Sequence, residues 1–467
     1  MNPTFLIIDL FCGFGGTTTG FASATYQGSK IAQVIACINH DPKAIKSHWL
    51  NHPEVQHFEE DIRTLDLSGL IACKNKWQAI YPDAYVILWA SLECTNFSKA
   101  KGGQPRNADS RTLAEHLFRY QKAIDPDYIM IENVVEFQAW GPLDEAGKPV
   151  SRKCGLDYMR WRSNMCAYGY HDQWTQLNSA DFGAYTSRNR LFGCFAKHGL
   201  PITFPTPTHA KKASGSMFEQ LQKWKPVKDV LDFTDEGESI FGRKKPLSDN
   251  TLERIMAGLI KFVANGDTAF IAKYFSGRPE GKVIPTSGPS GAIKTIDSQS
   301  LIQTKFLTHY YGNGFNTSTD VPCPTIGTRD GGALISPKYF LVNPQFSNNG
   351  ASIDKPCFTL IAKMDKRPPY LVEVENGHIG ISIEESDTAT MQKIKQFMEV
   401  YGLIDIKMRM LRVSELLVIQ GFPKEYKMHG TQTDAKKFIG NSVVPIVVQK
   451  WAEALAHTLI NQNQKIA

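Results

Sequence analysis

The sequence predicts an α/β fold: a doubly wound, mostly parallel sheet, with a second, β-rich segment before a helical C-terminal return. Through the first 200 residues, short apolar runs alternate with amphipathic stretches, the pattern of strands joined by crossover helices. A glycine-rich turn, Gly13-Phe14-Gly15-Gly16, follows the first apolar run directly. The middle of the chain is instead rich in Gly, Thr and Pro, with short β-like runs.

Strands are expected at 5–11, 31–38, 84–90 and 128–132, then at 174–178 and 191–196. In such a sheet, ligands collect at the carboxyl ends of the strands. The segment 201–207 carries three prolines and reads as an extended linker, and 250–262 reads as a helix. Beyond it an internal repeat is expected. Phe270-Ile271-Ala272-Lys273-Tyr274, Phe306-Leu307-Thr308-His309-Tyr310 and Phe340-Leu341-Val342-Asn343 open three segments roughly 35 residues apart. Each runs through glycine and proline to Thr295-Ile296, Thr325-Ile326 or Thr359-Leu360. Helical patterning returns at 391–401, 414–420 and 445–459, with Pro445 suited to a first helical turn. Three parts follow: 1–200, 201–405, and 406–467 returning to the first.

The chain has 467 residues, too long for one ordinary domain. Hydrophobic residues are 42% and charged residues 21%, a soluble globular profile; the net charge of +6 is compatible with a polyanionic partner without demanding one. Nine cysteines are scattered, and no pair is spaced like a zinc knuckle or a redox Cys-x-x-Cys. They read as reduced thiols of a cytoplasmic protein, and no metal is expected. No apolar run reaches the roughly 20 residues of a membrane span, and the first strand starts too early for a signal peptide.

Several groups carry candidate chemistry. Asp9, Phe11, Cys12, Gly13, Gly15 and Gly16 form a strand end and a turn that lets a ligand approach the backbone. The spacing is neither the dinucleotide Gly-x-Gly-x-x-Gly nor a P-loop. Asn39 follows the second strand, where a polar side chain can meet ribose hydroxyls, and Asp61-Ile62 follow another short run. Taken one at a time, these are as well explained as loop or cap residues. Cys94 sits at a strand end within Ser91-Leu92-Glu93-Cys94-Thr95-Asn96-Phe97-Ser98 and is a candidate nucleophile. A buried thiol with no chemistry is the ordinary alternative. Glu132-Asn133-Val134 stands at the lip of the same sheet, and Arg188 and Arg190 lie two residues apart, on one side if extended. Gln420-Gly421-Phe422-Pro423 and Gly440-Asn441-Ser442-Val443 close the chain's motifs.

In order and content these motifs resemble the DNA cytosine-5-methyltransferase family. The resemblance covers about 5–196 and 406–459 and places a target-recognition domain in 201–405. It implies a Rossmann-like methyltransferase fold, S-adenosylmethionine as cofactor and double-stranded DNA as substrate. It implies further that Phe11 lies near the adenine and that Asn441, Ser442 and Val443 approach the cofactor from the returning segment. The implied reaction is methyl transfer to C5 of a flipped-out cytosine through a covalent adduct of Cys94 with C6. A thiolate adding to C6 gives C5 the electron density it otherwise lacks. Glu132 would supply or share a proton at N3, Asn133 would orient the base, and Arg188 would bond the base carbonyl and favour the thiolate by its charge.

The sequence departs from the family pattern in three places. Glu93 stands where proline usually precedes the nucleophile, adding a negative charge that opposes the thiolate unless Lys99 or Lys101 pairs with it. Tyr185-Thr186 replaces Pro-Gln before the arginine pair, and Asn39 replaces a frequent acidic residue. The expected protein is an active enzyme that works as a monomer on DNA in a bacterial or phage-infected cell. A restriction endonuclease of the same specificity is a partner that the sequence leaves open. Two other readings stand beside this one. The first is a cytosine-5 methyltransferase acting on RNA, against which the long 201–405 insert argues. The second is a DNA-binding relative impaired by Glu93. Arg278, Arg329, Lys338, Lys363, Lys366 and Arg367 are candidate contacts to DNA.

Overall fold

The computed structural model describes residues 2–92, 112–146, 150–151 and 154–212, most of 215–260, and 383–466 except 402. Between 261 and 382 it describes little more than the strands given below. Glu93 and Cys94 therefore lie outside the described residues.

The main sheet has seven strands. In chain order they are β1 (Phe5–Leu10), β2 (Ala32–Asn39), β3 (Gln56–Glu59), β4 (Tyr85–Ser91), β5 (Tyr128–Asn133), β6 (Tyr170–Asn178) and β7 (Asn189–Lys197). Their spatial order is β3-β2-β1-β4-β5-β7-β6. The first five run parallel, and β7 and β6 close the edge as antiparallel strands. This is the mixed, mostly parallel sheet that the sequence predicts.

Strand β1, Phe-Leu-Ile-Ile-Asp-Leu, is buried throughout, as a central parallel strand covered on both faces must be. Its alternate residues serve two cores. Leu6, Ile8 and Leu10 join Tyr120 of α4 (Leu117–Ile124) and Trp161 of α5 (Leu156–Cys166). Phe5 and Ile7 join Phe21 of α1 (Gly16–Ser23) and Val447, Trp451 and Leu455 of α10 (Pro445–Ile466) on the other face. Trp451 is anchored by edge contacts to Trp89 and Phe192 and by its Nε1 donating to the carbonyl of Thr203. Helix α10 crosses α1 so closely that a β-carbon on Gly20 would come within 2.5 Å of the Pro445 carbonyl oxygen.

The remaining helices are α2 (Pro42–Asn51), α3 (Ser68–Ile80), α6 (Asp249–Gly258), α7 (Ala389–Tyr401), α8 (Val413–Ile419) and α9 (Gln432–Asn441). Residues 201–207 carry no regular structure. A second sheet is built on β8 (Ala269–Lys273), β9 (Gln299–His309), β10 (Phe340–Asn343), β11 (Tyr370–Asn376) and β12 (Leu403–Met410). Three expected repeat starts fall in β8, β9 and β10, which meet in this sheet; their Thr-Ile and Thr-Leu steps lie outside the described residues. Strand β12 crosses the 405/406 boundary and pairs with both β9 and β11. A third core unites Phe14 and Ala44 with Leu252, Ile394, Met408, Leu416, Phe422 and Phe438, so the glycine turn and the second half of the chain share packing.

Three elements differ from expectation. The edge strand β6 starts at Tyr170 rather than 174, because its half-exposed polar residues hide the period. Strand β3 is polar and short, and α9 begins in a polar stretch where a capping box of Thr431 and Asp434 sets its start; neither shows an apolar period. No helix of the described residues is long and apolar enough to cross a membrane.

Candidate active site at the carboxyl edge of the sheet

The registers of β1, β4 and β5 align their carboxyl ends: Leu10 faces Ala90, and Ser91 faces Glu132. The glycine turn, the chain leading to Cys94 and the Glu132-Asn133 pair thus leave the sheet along one edge. Strand β7 runs antiparallel, so its first residues, next to Arg188 and Arg190, meet the end of β5; Asn133 pairs with Leu191.

Glu132 is buried, and its Oε1 lies 3.3 Å from Arg190 Nε. The contact is not aligned as a hydrogen bond, and Oε1 has no hydrogen-bond partner among the described residues. Apart from its ion pair with Arg190, this buried carboxylate oxygen keeps hydrogen-bonding capacity that a ligand group could meet. Asn133 is fixed on both sides of its amide. Its Oδ1 accepts from the Val134 N–H at 2.7 Å, and its Nδ2 donates to the carbonyl of Leu92 at 3.4 Å. The side chain ties the end of β5 to the chain that carries Cys94. Arg188 and Arg190 reach different partners: Arg188 Nη1 donates to the carbonyl of Gly440 at 3.1 Å, and Arg190 holds Glu132 and the Asn189 carbonyl. Thr186 is fully buried.

The glycine turn is built for close approach. Phe11 adopts φ +58°, a left-handed conformation uncommon for a side chain of this size. Among the described residues Gly13 faces open space, where a β-carbon would meet nothing within 4 Å. Gly15, at φ +112°, has its α-carbon against Tyr426, whose hydroxyl a β-carbon would strike; one on Gly16 would strike the Val443 carbonyl. Both glycines are required by packing from the returning segment as well as by the turn. Tyr426 donates to the Phe14 carbonyl at 2.6 Å and packs against the Phe14 ring, and burial pushes its phenol up.

Beneath the turn lies a buried polar chain. Asp9 has no exposed surface; its Oδ2 accepts from Thr18 at 3.0 Å, and its Oδ1 has no hydrogen-bond partner among the described residues. Burial, opposed in part by the Thr18 bond, raises its carboxyl to about 8. Cys12 is buried, and its N–H donates to the Ile38 carbonyl. Asp9 and Cys12 therefore support the turn from behind.

Two strand ends complete this edge. Asn39 Oδ1 accepts from the Asp41 N–H, and Asp41 caps α2 through the N–H groups of Lys43 and Ala44. Asp61 is gripped by Arg63, which holds its carboxyl down at about 2. Ile62 is buried, and its carbonyl accepts from Tyr120 and Arg119. On the returning segment Ser442 donates to the Ile439 carbonyl, while Gln420 Nε2 donates to the Ser442 carbonyl at 2.9 Å; Asn441 is exposed and Val443 buried. The support given by Tyr426, Thr18 and Gln420 is missed by sequence reasoning, although Gln420 and Tyr426 lie in or just after the Gln-Gly-Phe-Pro motif. Of the candidate DNA contacts, only Lys338 falls in a described element, the end of strand Gly332–Lys338.

Comparison with known proteins adds a finding. The sequence model of a family described as "C-5 cytosine-specific DNA methylase" matches residues 5–457. Type II methyltransferase M.HgiCII of Herpetosiphon aurantiacus is 24% identical over 97% of this chain and 96% of its own length. Type II methyltransferase M.AgeI of Thalassovita gelatinovora is 29% identical over 44% of this chain; the match spans less than half of that relative, 43%. A solved structure of a Spodoptera frugiperda DNMT2 mutant superposes with a TM-score of 0.50 at 12% identity, covering 97% of this chain and 99% of that one, a likeness of fold.

Proposed function

From the premise that this chain belongs to the C-5 cytosine-specific DNA methylase family, we propose that it methylates C5 of a cytosine flipped out of double-stranded DNA, with Cys94 as nucleophile. The observation that carries this reading is the open, buried Oε1 of Glu132 at the end of β5, in register with the strand leading to Cys94.

The chain's residues suit S-adenosylmethionine. Open space at Gly13, the left-handed turn at Phe11 and the polar ends of β2 and β3 at Asn39 and Asp61 lie along one sheet edge, as a nucleoside-like ligand requires. Phe11, Gly13, Gly15, Gly16, Asn39, Asp61, Ile62, Asn441, Ser442 and Val443 would hold it, with Asp9 and Cys12 behind the turn. When bound, this cofactor supplies an electrophilic methyl group.

The protein's own part begins with the base. Cys94 adds as thiolate to C6, forming a carbon–sulfur bond and moving an electron pair toward C5. Glu132 gives or shares a proton at N3, where negative charge builds, and Arg190 beside it keeps that carboxyl oriented. Asn133 holds the Cys94 approach against the base through Leu92. Arg188, anchored on Gly440, couples the base side of the site to the turn that closes the cofactor side. After methylation the C5 proton passes to water, the carbon–sulfur bond breaks to restore the thiolate, and the N3 proton returns to Glu132. The second sheet, built from the 201–405 segment and completed by β12 across its end, is the proposed target-recognition domain, and unstacking of the base, at a few kcal/mol, is offset by its contacts.

The test is incubation with methyl-labelled S-adenosylmethionine and either duplex DNA or tRNA, followed by nucleoside mass spectrometry. Labelled 5-methylcytosine in DNA that vanishes in Cys94→Ser is the expected result. Label in tRNA alone, or DNA binding with no label, overturns the reading.

A further inference from the structure

Behind the glycine turn, three side chains from separate elements converge in a way the proposed reaction does not use. Cys12 follows β1, Cys37 lies near the end of β2, and His48 lies in α2. Their sulfur and nitrogen ligand atoms all fall within 4.8 Å of one another, and all three residues are buried. Sequence spacing does not reveal the trio, because strand pairing brings it together: Asp9 faces Cys37 across β1 and β2.

The hydrogen bonds fix how His48 is presented. Thr18 Oγ1 donates to Asp9 Oδ2, so toward His48 it must accept, and the His48 Nε2 at 2.9 Å carries the proton. His48 Nδ1 is left with its lone pair, pointed at Cys37 Sγ 3.8 Å away and at His57 Nε2 2.8 Å away. At 2.8 Å the two rings share a hydrogen bond, His57 Nε2–H donating to His48 Nδ1, and a cation would take the place of that proton. The Thr18 hydroxyl, itself bonded to Asp9, gives the His48 ring the kind of outer hydrogen-bonded support that metal-bound imidazoles need.

We propose that Cys12, Cys37 and His48 bind a zinc-class divalent cation, with His57 Nε2 at the fourth position. The donor set is soft sulfur and imidazole, which selects that class over magnesium or calcium. Two thiolates balance the divalent charge, so the filled site is neutral and suits its burial. Bonds of about 2.0–2.3 Å give a tetrahedron with edges of roughly 3.5 Å, so the trio closes by about an ångström on binding. Binding releases the two thiol protons to solvent and involves no redox change. The metal would pin the turn that carries Cys12 to β2 and α2. This site stands whether or not the chain methylates DNA.

The experiment is elemental analysis of tag-free, full-length protein after gel filtration, as purified and after exposure to zinc. One equivalent of zinc per chain is expected, falling at least several-fold in Cys37→Ser and in His48→Asn. Because a variant can fail to fold, cobalt is also titrated into the wild-type protein stripped of metal. A tetrahedral spectrum with a thiolate-to-cobalt charge-transfer band supports the site. A wild-type chain that takes up neither metal, metal retained in full by both folded variants, or a cobalt spectrum without thiolate character overturns it.

Discussion

The Asn133 side chain donates through Nδ2 to the carbonyl of Leu92, 3.4 Å away, and so fastens the end of β5 to the chain just before Cys94. The same amide caps the Val134 N–H. Removing it by Asn133→Ala leaves a buried N–H and a carbonyl without their partner, at a cost of about 1–3 kcal/mol. Urea unfolding is expected to show that loss, with methyl transfer reduced and cofactor binding retained. Wild-type methylation rates in Asn133→Ala would remove the tie from the proposed mechanism.

Glu132 has an open buried oxygen, so its role is tested without altering shape. Glu132→Gln is expected to lower the rate of methyl transfer by roughly 10²–10⁴-fold, while cofactor affinity measured by calorimetry stays near wild type. A glutamine variant with unchanged turnover would show that no proton passes through this side chain.

Gly15 and Tyr426 form a pair suited to a double-mutant cycle. Gly15→Ala places a β-carbon against the Tyr426 hydroxyl at φ +112° and should abolish cofactor binding and lower the melting temperature. Tyr426→Phe removes the obstructing oxygen and the bond to Phe14, so by itself it costs about 1 kcal/mol. The double variant should be less destabilised than the sum of the two, leaving the backbone strain and the tight approach to the His48 and His52 rings. Additive losses would mean that the hydroxyl is not what excludes a side chain at 15.

A pair of crossed ion pairs joins α2 to α9: Lys43 with Asp434 at 2.8 Å and Lys437 with Asp41 at 2.9 Å. Lys43 and the Thr431 N–H hold the Asp434 carboxyl down at about 2. A folded-state value below the unfolded 3.8 makes the contribution present above about pH 4 and lost as pH falls toward 2. Solvent screening keeps it small. Asp434→Asn should therefore be less stable than wild type near pH 6, with the gap narrowing at about pH 3 in urea titrations. A gap independent of pH would mean that the charge on Asp434 contributes nothing to stability.

The strands that position the site were legible because their residues are buried on both faces. Tyr128–Asn133, for example, differs from the expected 128–132 by one residue. The motif residues are legible as types and order. Their supports are not, because each support is a contact between distant segments: Tyr426 on Phe14, Arg188 on Gly440, Thr18 on Asp9 and His48. Short polar elements such as β3 and α9 escape for a different reason, since caps and edge pairing define them rather than an apolar period.

Helix α10 bears on the order in which the protein can be made. Ribosomes release the N-terminal part first, yet the core face holding Phe21, Trp89 and Phe192 is covered by Trp451, Leu455 and their neighbours, which emerge well after it. A nascent chain must therefore keep that face from sticking elsewhere until α10 has been made. Incomplete chains, lacking the covering helix and the closure of the glycine turn, would carry the motifs without the pocket.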